Sequence, residues 1–190
     1  MKKTKDMIRG YEPRNEQEAM DKRLIVEFLD NNDDALIRDN LAAHITSSAF
    51  VVNETMDKIV FIHHNIYNSW SWVGGHNDGD DDLLHVAIKE AKEETGIRHI
   101  RPYDRDIFTI DVIYVKNHIK HGEYVPDHLH LNAAFLLIAS EEDSLYINHA
   151  ENSGVQWFQI ADVLGYVSED RMMPVYQKAF KQIKTIRDFG

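Results

Sequence analysis

The sequence predicts an α/β (α+β) fold in which a mixed β-sheet is packed between helices and preceded by an N-terminal helical extension. Three observations predict it: helical periodicity near both ends, β-branched and aromatic runs through the middle, and one amphipathic helix set between those runs. A chain of 190 residues, 43% hydrophobic and 10% aromatic, is long enough to bury one good core. The expected division is an extension over residues 1–43 and a single domain over 44–190.

Residues 15–29 place Ala19, Leu24, Ile25, Phe28 and Leu29 at helical spacing among charges, which predicts an amphipathic helix stopped by Asn31, Asn32, Asp33 and Asp34. A second short helix is expected over residues 35–40. From His44 the run HITSSAFVVN reads as a strand, and KIVFIHHN from Lys58 as its hairpin partner across residues 54–57. Residues 67–73 give a short aromatic strand ending in Gly74-Gly75, and a polar loop leads into a helix over residues 81–95 closed by Gly96. DIFTIDVIYVK and HLHLNAAFLLIA read as long strands separated by a polar loop, VQWFQI as the last strand. Residues 160–163 suggest a helical turn. A C-terminal amphipathic helix over 172–186 carries Val175, Ala179, Phe180 and Ile183 on its apolar side. The preface of residues 1–43 is read as cover for a sheet edge or for a homodimer partner, or as a specificity element.

A net charge of -11 argues against a protein that grips nucleic acid or a membrane through a broad basic field. An acidic protein that handles anionic phosphates must neutralise them locally, and a divalent metal held by carboxylates does so. The chain has no cysteine, which excludes disulfides, thiolate zinc sites and cysteine nucleophiles. The charged N-terminus is followed by no apolar stretch, and no run approaches a membrane span, so a cytoplasmic protein is expected.

The chemistry lies in Gly74 to Ile97, GGHNDGDDDLLHVAIKEAKEETGI. At 100° per residue, Leu84, Ala87, Ile88, Ala91 and Thr95 form one stripe suited to packing on a sheet. Glu90, Glu93 and Glu94 form another, at i, i+3 and i+4, where three carboxylates repel one another unless a cation intervenes. Mg²⁺, with Mn²⁺ as a substitute, is the expected cofactor, because it takes hard oxygen ligands and keeps room for water and phosphate. Asp80, Asp81 and Asp82 have a plainer reading as acids that cap and complement a helix N-terminus.

This stretch resembles the Nudix box, G-x5-E-x7-R-E-U-x-E-E-x-G-U with U aliphatic. The chain supplies Gly75, Asp81, Lys89, Glu90, Ala91, Glu93, Glu94, Gly96 and Ile97 at those spacings. Asp81 stands where Glu is usual and Lys89 where Arg is usual. Each exchange keeps its charge sign, although Lys loses the bidentate fork. The resemblance covers residues 46–163 and implies a Nudix-like α/β/α sandwich with a mixed β-sheet between helices.

It also implies Mg²⁺-dependent hydrolysis of a phosphoanhydride in a small-molecule diphosphate: a nucleoside diphosphate linked to another moiety, a nucleoside triphosphate, a nucleotide sugar or a related diphosphate. Gly75, through its carbonyl, Glu90, Glu93 and Glu94 are then the metal ligands. Glu151, in the loop before Trp157, is the candidate extra ligand or general base, with Glu141, Glu142 and Asp143 as nearby alternatives. Glu90 and Glu151 stay open as the base.

Of the eleven histidines, His63, His64, His76, His128 and His130 fall near the proposed site. His128 and His130 alternate along one strand and point to one face, where with His76 they are candidates for substrate binding. Their spacing also resembles a transition-metal pair, although zinc is not expected. Tyr67, Trp70 and Trp72 are read as core ahead of nucleobase stacking. The competing function is a non-catalytic Nudix-fold ligand-sensing or regulatory module. An isoprenoid diphosphate isomerase is disfavoured by the missing cysteine.

Overall fold

The computed structural model describes residues 1–120 and 122–190. In chain order the elements are α1 (Lys2–Gly10), α2 (Glu16–Asn31), β1 (Ala43–Val52), β2 (Lys58–His64), β3 (Ser69–Ser71), β4 (Val73–His76) and α3 (Leu83–Thr95). There follow β5 (Ile100–Pro102), β6 (Thr109–Val115), β7 (His118–Lys120), β8 (Glu123–Val125), β9 (His128–Ala139), β10 (Asn152–Gln159), two 3-10 turns and α4 (Met173–Phe189). Strands run in the order β10-β2-β1-β9-β5, with β3 on β2, β4 on β1 and β6 on β9, and helices flank the sheet. This is the α+β class that the alternation of strand and helix periods predicts.

Three local differences from the sequence expectation have identifiable causes. The helix α1 is not signalled by periodicity, because among its charges only Thr4 and Ile8 are buried. Residues 35–40 form hydrogen-bonded turns in place of a helix: Asn40 Nδ2 donates to Asp34 Oδ1 at 2.8 Å and Asn40 Oδ1 accepts from the amides of Ala42 and Ala43. Short Asn and Asp side chains offer the backbone an alternative to helix bonds. The polar loop expected between the two long strands contains a hairpin, β7 on β8, in which Ile119 faces Tyr124. Asp127 fastens its base by accepting from Asn117 N at 2.6 Å and Tyr114 Oη at 2.8 Å. His121, in the same segment, lies outside the described residues.

The chain folds as two compact units. The first comprises Met1–Ser48, Gly75–Ala87 and Arg105–Phe135. In it α2 starts on Asn15, whose side chain accepts from Glu18 N at 2.9 Å. The helix is tied to β6 by Asp21, which accepts from Val112 N at 2.9 Å. Glu18, 1% exposed, has its buried carboxylate hydrogen-bonded: it accepts from Tyr11 Oη at 2.8 Å and Arg14 N at 2.9 Å. Burial first, and the same contact second, hold the Tyr11 phenol well above its ordinary proton affinity.

The second unit comprises Ala49–Gly74, Ile88–Asp104 and Leu136–Gly190. Its core is aromatic: Tyr176 and Phe180 of α4 meet Phe50, Phe61 and Trp72, with ring centroids 4.9 to 6.4 Å apart and mostly edge-on. Trp70 packs edge-on against Phe158. Both tryptophans are half-buried, packing against rings at the margin of the core. Strand β2 lies between β10 and β3, antiparallel to each, and carries Ile59, Val60, Phe61 and Ile62 fully buried.

Gly96 ends α3 at φ +75°, and a Cβ there would lie 2.8 Å from Tyr146 Cδ2. Gly96→Ala is expected to destabilise the protein by at least about 1–2 kcal/mol from the left-handed backbone alone, with the Tyr146 contact adding to it. Chemical denaturation measures this. A variant as stable as the parent would contradict the assignment.

Candidate active site

Helix α3 is defined at both ends by side chains. Asp82 Oδ1 accepts from His85 N at 3.1 Å, capping the first turn, and Asp80 Oδ1 accepts from Asp82 N at 2.9 Å. Asp81 faces α1, receiving the Met1 ammonium at 2.8 Å, while its carbonyl accepts from Thr4 Oγ1. At the C-terminal end Asn152 Nδ2 donates to Glu94 O at 3.0 Å and Tyr146 N to Thr95 O at 2.8 Å. These bonds satisfy carbonyls that the last turn would otherwise leave open.

The buried side of α3 continues past its apolar residues into acid. Leu83, Val86, Ala87 and Ala91 are buried, and so are Glu90 at 9% and Glu94 at 3% exposed. Glu93 is exposed. Glu94 Oε2 accepts from the backbone N–H of Gly74 at 2.8 Å. Burial raises the proton affinity of Glu94 well above the ordinary carboxylate range, with the charges of Glu151, Glu90 and Glu93 adding to it against the Gly74 hydrogen bond. Glu90 is raised for the same first reason, with Lys89 opposing and Glu93 and Glu151 reinforcing. The four glutamates thus share one electrostatic environment in the second unit, and Glu151 reaches it from the loop before β10.

Two of the three alternatives to Glu151 have other employment. Glu141 binds the ammonium of Lys58 and accepts from Asn53 Nδ2, and Asp143 accepts from the amides of Arg98 and His99. Lys89 is the nearest cation, 3.2 Å from Glu90 Oε1 and 3.8 Å from Glu93 Oε2. Its single charge cannot balance four carboxylates, two of them buried. A divalent cation fits this donor set, since it would supply the missing charge and accept hard oxygen ligands. Chemically, the cluster offers two carboxyls of raised proton affinity where a cation would fit, and perturbed groups of this kind gather at functional sites.

Gly75 and the three histidines expected to bind substrate, His76, His128 and His130, lie in the first unit. Gly75 is half-buried in β4 beside His76. His76, His128 and His130 are brought together and joined by His44 at the start of β1: the ring centroids of His44 lie 4.9 Å from His76, 5.0 Å from His128 and 5.1 Å from His130. Burial first, and the neighbouring imidazoles second, push His130 well below its ordinary proton affinity. Burial also lowers His44. Both rings are therefore neutral near pH 7. His63 and His64 point elsewhere, to Ser153 Oγ at 2.9 Å and to the Tyr67 ring.

Sequence reading missed His44, the Gly74 amide and Asn152. A signal for His44 existed, since His44, Thr46 and Ser48 share one parity in β1 as His130 and Asn132 do in β9. The two strands meet through that parity: Thr46 and Ser48 both donate to Asn132 Oδ1, at 3.0 and 2.8 Å.

Comparison with known proteins settles the family. The family model of the NUDIX domain matches residues 43–182, well over half the chain. The chain belongs to the Nudix hydrolase family. An uncharacterised Nudix hydrolase, YvcI, of Bacillus subtilis strain 168 is 24% identical over 112 residues, which is 59% of this chain and 65% of that protein. This chain thus spans just under two thirds of that relative's length. A NUDIX-family hydrolase of Clostridium perfringens superposes with a TM-score of 0.55 at 17% identity, covering 75% of this chain and 97% of the other. A C. elegans Ap4A hydrolase in a binary complex gives 0.54 at 14% identity, covering 74% and 97%. The two structures share the Nudix fold with this chain. No helix among the described residues is long and apolar enough to cross a membrane.

The raised proton affinity of Glu94 has a definite sign in stability. A carboxyl raised in the fold contributes stability that is present below its unfolded value and lost as pH rises through the folded one. In metal-free protein, Glu94→Gln is expected to raise Tm at about pH 8 and to change it little at about pH 4. Equal shifts at the two pH values, or a fall at the higher one, would show that Glu94 is not a buried charge.

Proposed function

We propose that this chain is a Mg²⁺-dependent pyrophosphohydrolase that attacks a phosphoanhydride bond in a soluble nucleoside diphosphate derivative. The observation that carries the reading is the convergence of Glu90, Glu93, Glu94 and Glu151, two of them buried with raised proton affinity and short of positive charge. The donor set suits Mg²⁺ or Mn²⁺, and such a cation supplies Lewis-acid activation of water and screening of diphosphate charge.

The chain's own residues then divide the work. Glu94, held by the Gly74 N–H, has its carboxylate fixed in direction, so that it presents its other oxygen without reorganising. Glu90 retains a higher proton affinity than an exposed glutamate and is suited to accept the proton of the attacking water. Glu151 reaches the same environment from an exposed loop and is the second candidate for that proton. Glu93, exposed on the same face, adds a carboxylate to the cation site. Lys89 holds the Glu90 and Glu93 carboxylates together and stands where the family pattern has an arginine. Two structural neighbours, an Ap4A hydrolase and a NUDIX domain complexed with ADP ribose, support this substrate class.

The test is release of phosphorylated products from a panel of nucleoside diphosphate derivatives with Mg²⁺, then with excess chelator. Chelator is expected to abolish turnover. Glu94→Gln is expected to lower kcat by about a thousandfold, the scale of a lost electrostatic stabiliser. Of Glu90→Gln and Glu151→Gln, the substitution that removes the base lowers kcat and flattens the acid limb of the pH profile. Saturable ligand binding with no turnover under any metal would favour the ligand-sensing module. Full activity in Glu94→Gln would end the hydrolase assignment at this site.

A further inference from the structure

We propose that His44, His76 and His130 hold one divalent transition-metal ion of the zinc class, with His128 orienting His130 from behind. The ligand nitrogens of the first three lie within 4.8 Å of one another. They come from three strands, β1, β4 and β9, so the set is fixed by strand geometry and does not depend on a loop.

The hydrogen bonds assign the tautomers. His44 Nδ1 lies 3.1 Å from Asn40 O, and a carbonyl only accepts, so Nδ1 carries the proton and Nε2 carries the lone pair. That Nε2 is buried with no hydrogen-bond partner among the described residues. His128 Nδ1 lies 2.8 Å from Pro126 O and is protonated for the same reason, which leaves its Nε2 as an acceptor. His130 Nε2, 3.2 Å from His128 Nε2, must then donate to it, and its Nδ1 becomes the free lone pair. A backbone carbonyl behind His44, and a carbonyl-bound imidazole behind His130, are the outer partners that metal-ligating histidines commonly have.

The donor set determines the ion. The grouped ligands are imidazoles with no carboxylate among them, a combination that suits zinc-class transition ions and is poor for Mg²⁺, which takes oxygen. Without an ion, the buried His44 Nε2 has no hydrogen-bond partner among the described residues. An ion on these nitrogens is chemically distinct from the one assigned to the glutamates, and its existence does not depend on the hydrolase reading.

The experiment uses full-length protein stripped of metal, with millimolar Mg²⁺ present to fill oxygen sites, titrated with Co²⁺ and then with Zn²⁺. One equivalent of Co²⁺ is expected, with a visible ligand-field band from nitrogen ligands that Zn²⁺ bleaches. His44→Gln and His130→Gln should each weaken uptake by about a hundredfold or more, with folding checked by circular dichroism. His76→Gln, at a half-buried position, gives the same reading if either core variant unfolds. Glu94→Gln should leave the band in place. Absence of the band in the parent, its survival in folded His44→Gln and His130→Gln, or its loss in Glu94→Gln alone would overturn the proposal, the last by placing the ion on carboxylates. Hydrolysis is not measured, so failure here leaves the glutamate assignment standing, and failure of that assignment leaves this one.

Discussion

Burying a carboxylate costs free energy unless charge or hydrogen bonds compensate it, and α3 buries two within one turn. Glu94 is 3% exposed and receives one backbone N–H, from Gly74. Glu90 receives the single charge of Lys89. Neither contact restores what water would supply to an ionised glutamate. The uncompensated charge is a stability cost. The second unit carries the means to hold this arrangement in place: Asn152 and Tyr146 fix the end of α3, and Gly96 lets the chain turn away without a side chain in the path of Tyr146.

The two polar clusters show opposite electrostatic treatments of ionisable groups. In the glutamate cluster, burial and like charge favour the protonated and therefore neutral form of Glu90 and Glu94. In the histidine cluster, burial and neighbouring rings favour the deprotonated form of His44 and His130, which is also neutral. Desolvation acts in the same sense in both, against charge. The donors differ in kind, hard oxygen in one and imidazole nitrogen in the other, and this difference separates the ions each could accept. A protein with net charge -11 attracts cations generally, so selectivity between the clusters rests on donor type.

Much of the fold was legible from pattern. The strand periods over residues 44–53, 58–65 and 128–139 and the helices over 15–29, 81–95 and 172–186 correspond to β1, β2, β9, α2, α3 and α4 within a few residues, because each carries a face large enough to declare its period. Elements with little buried surface were not legible. The helix α1 buries two side chains, β5 and β7 are three residues each, and residues 35–40 are decided by side-chain hydrogen bonds of Asn40 and Asp34. A hydrophobic pattern has nothing to register in such segments.

By itself the sequence determined the triple glutamate, since i, i+3 and i+4 spacing on a helix fixes Glu90, Glu93 and Glu94 to one side wherever that helix lies. It also determined the pairing of His128 with His130, since alternate residues of a strand share a face. The tertiary structure alone decided that Glu90 and Glu94 are buried while Glu93 is exposed, that Gly74 donates to Glu94, and that His44 joins His76 and His130 from strands far apart in the chain. Local periodicity fixes directions within one element. Burial and convergence depend on which other elements pack against it, and those contacts join residues whose separation in sequence carries no period.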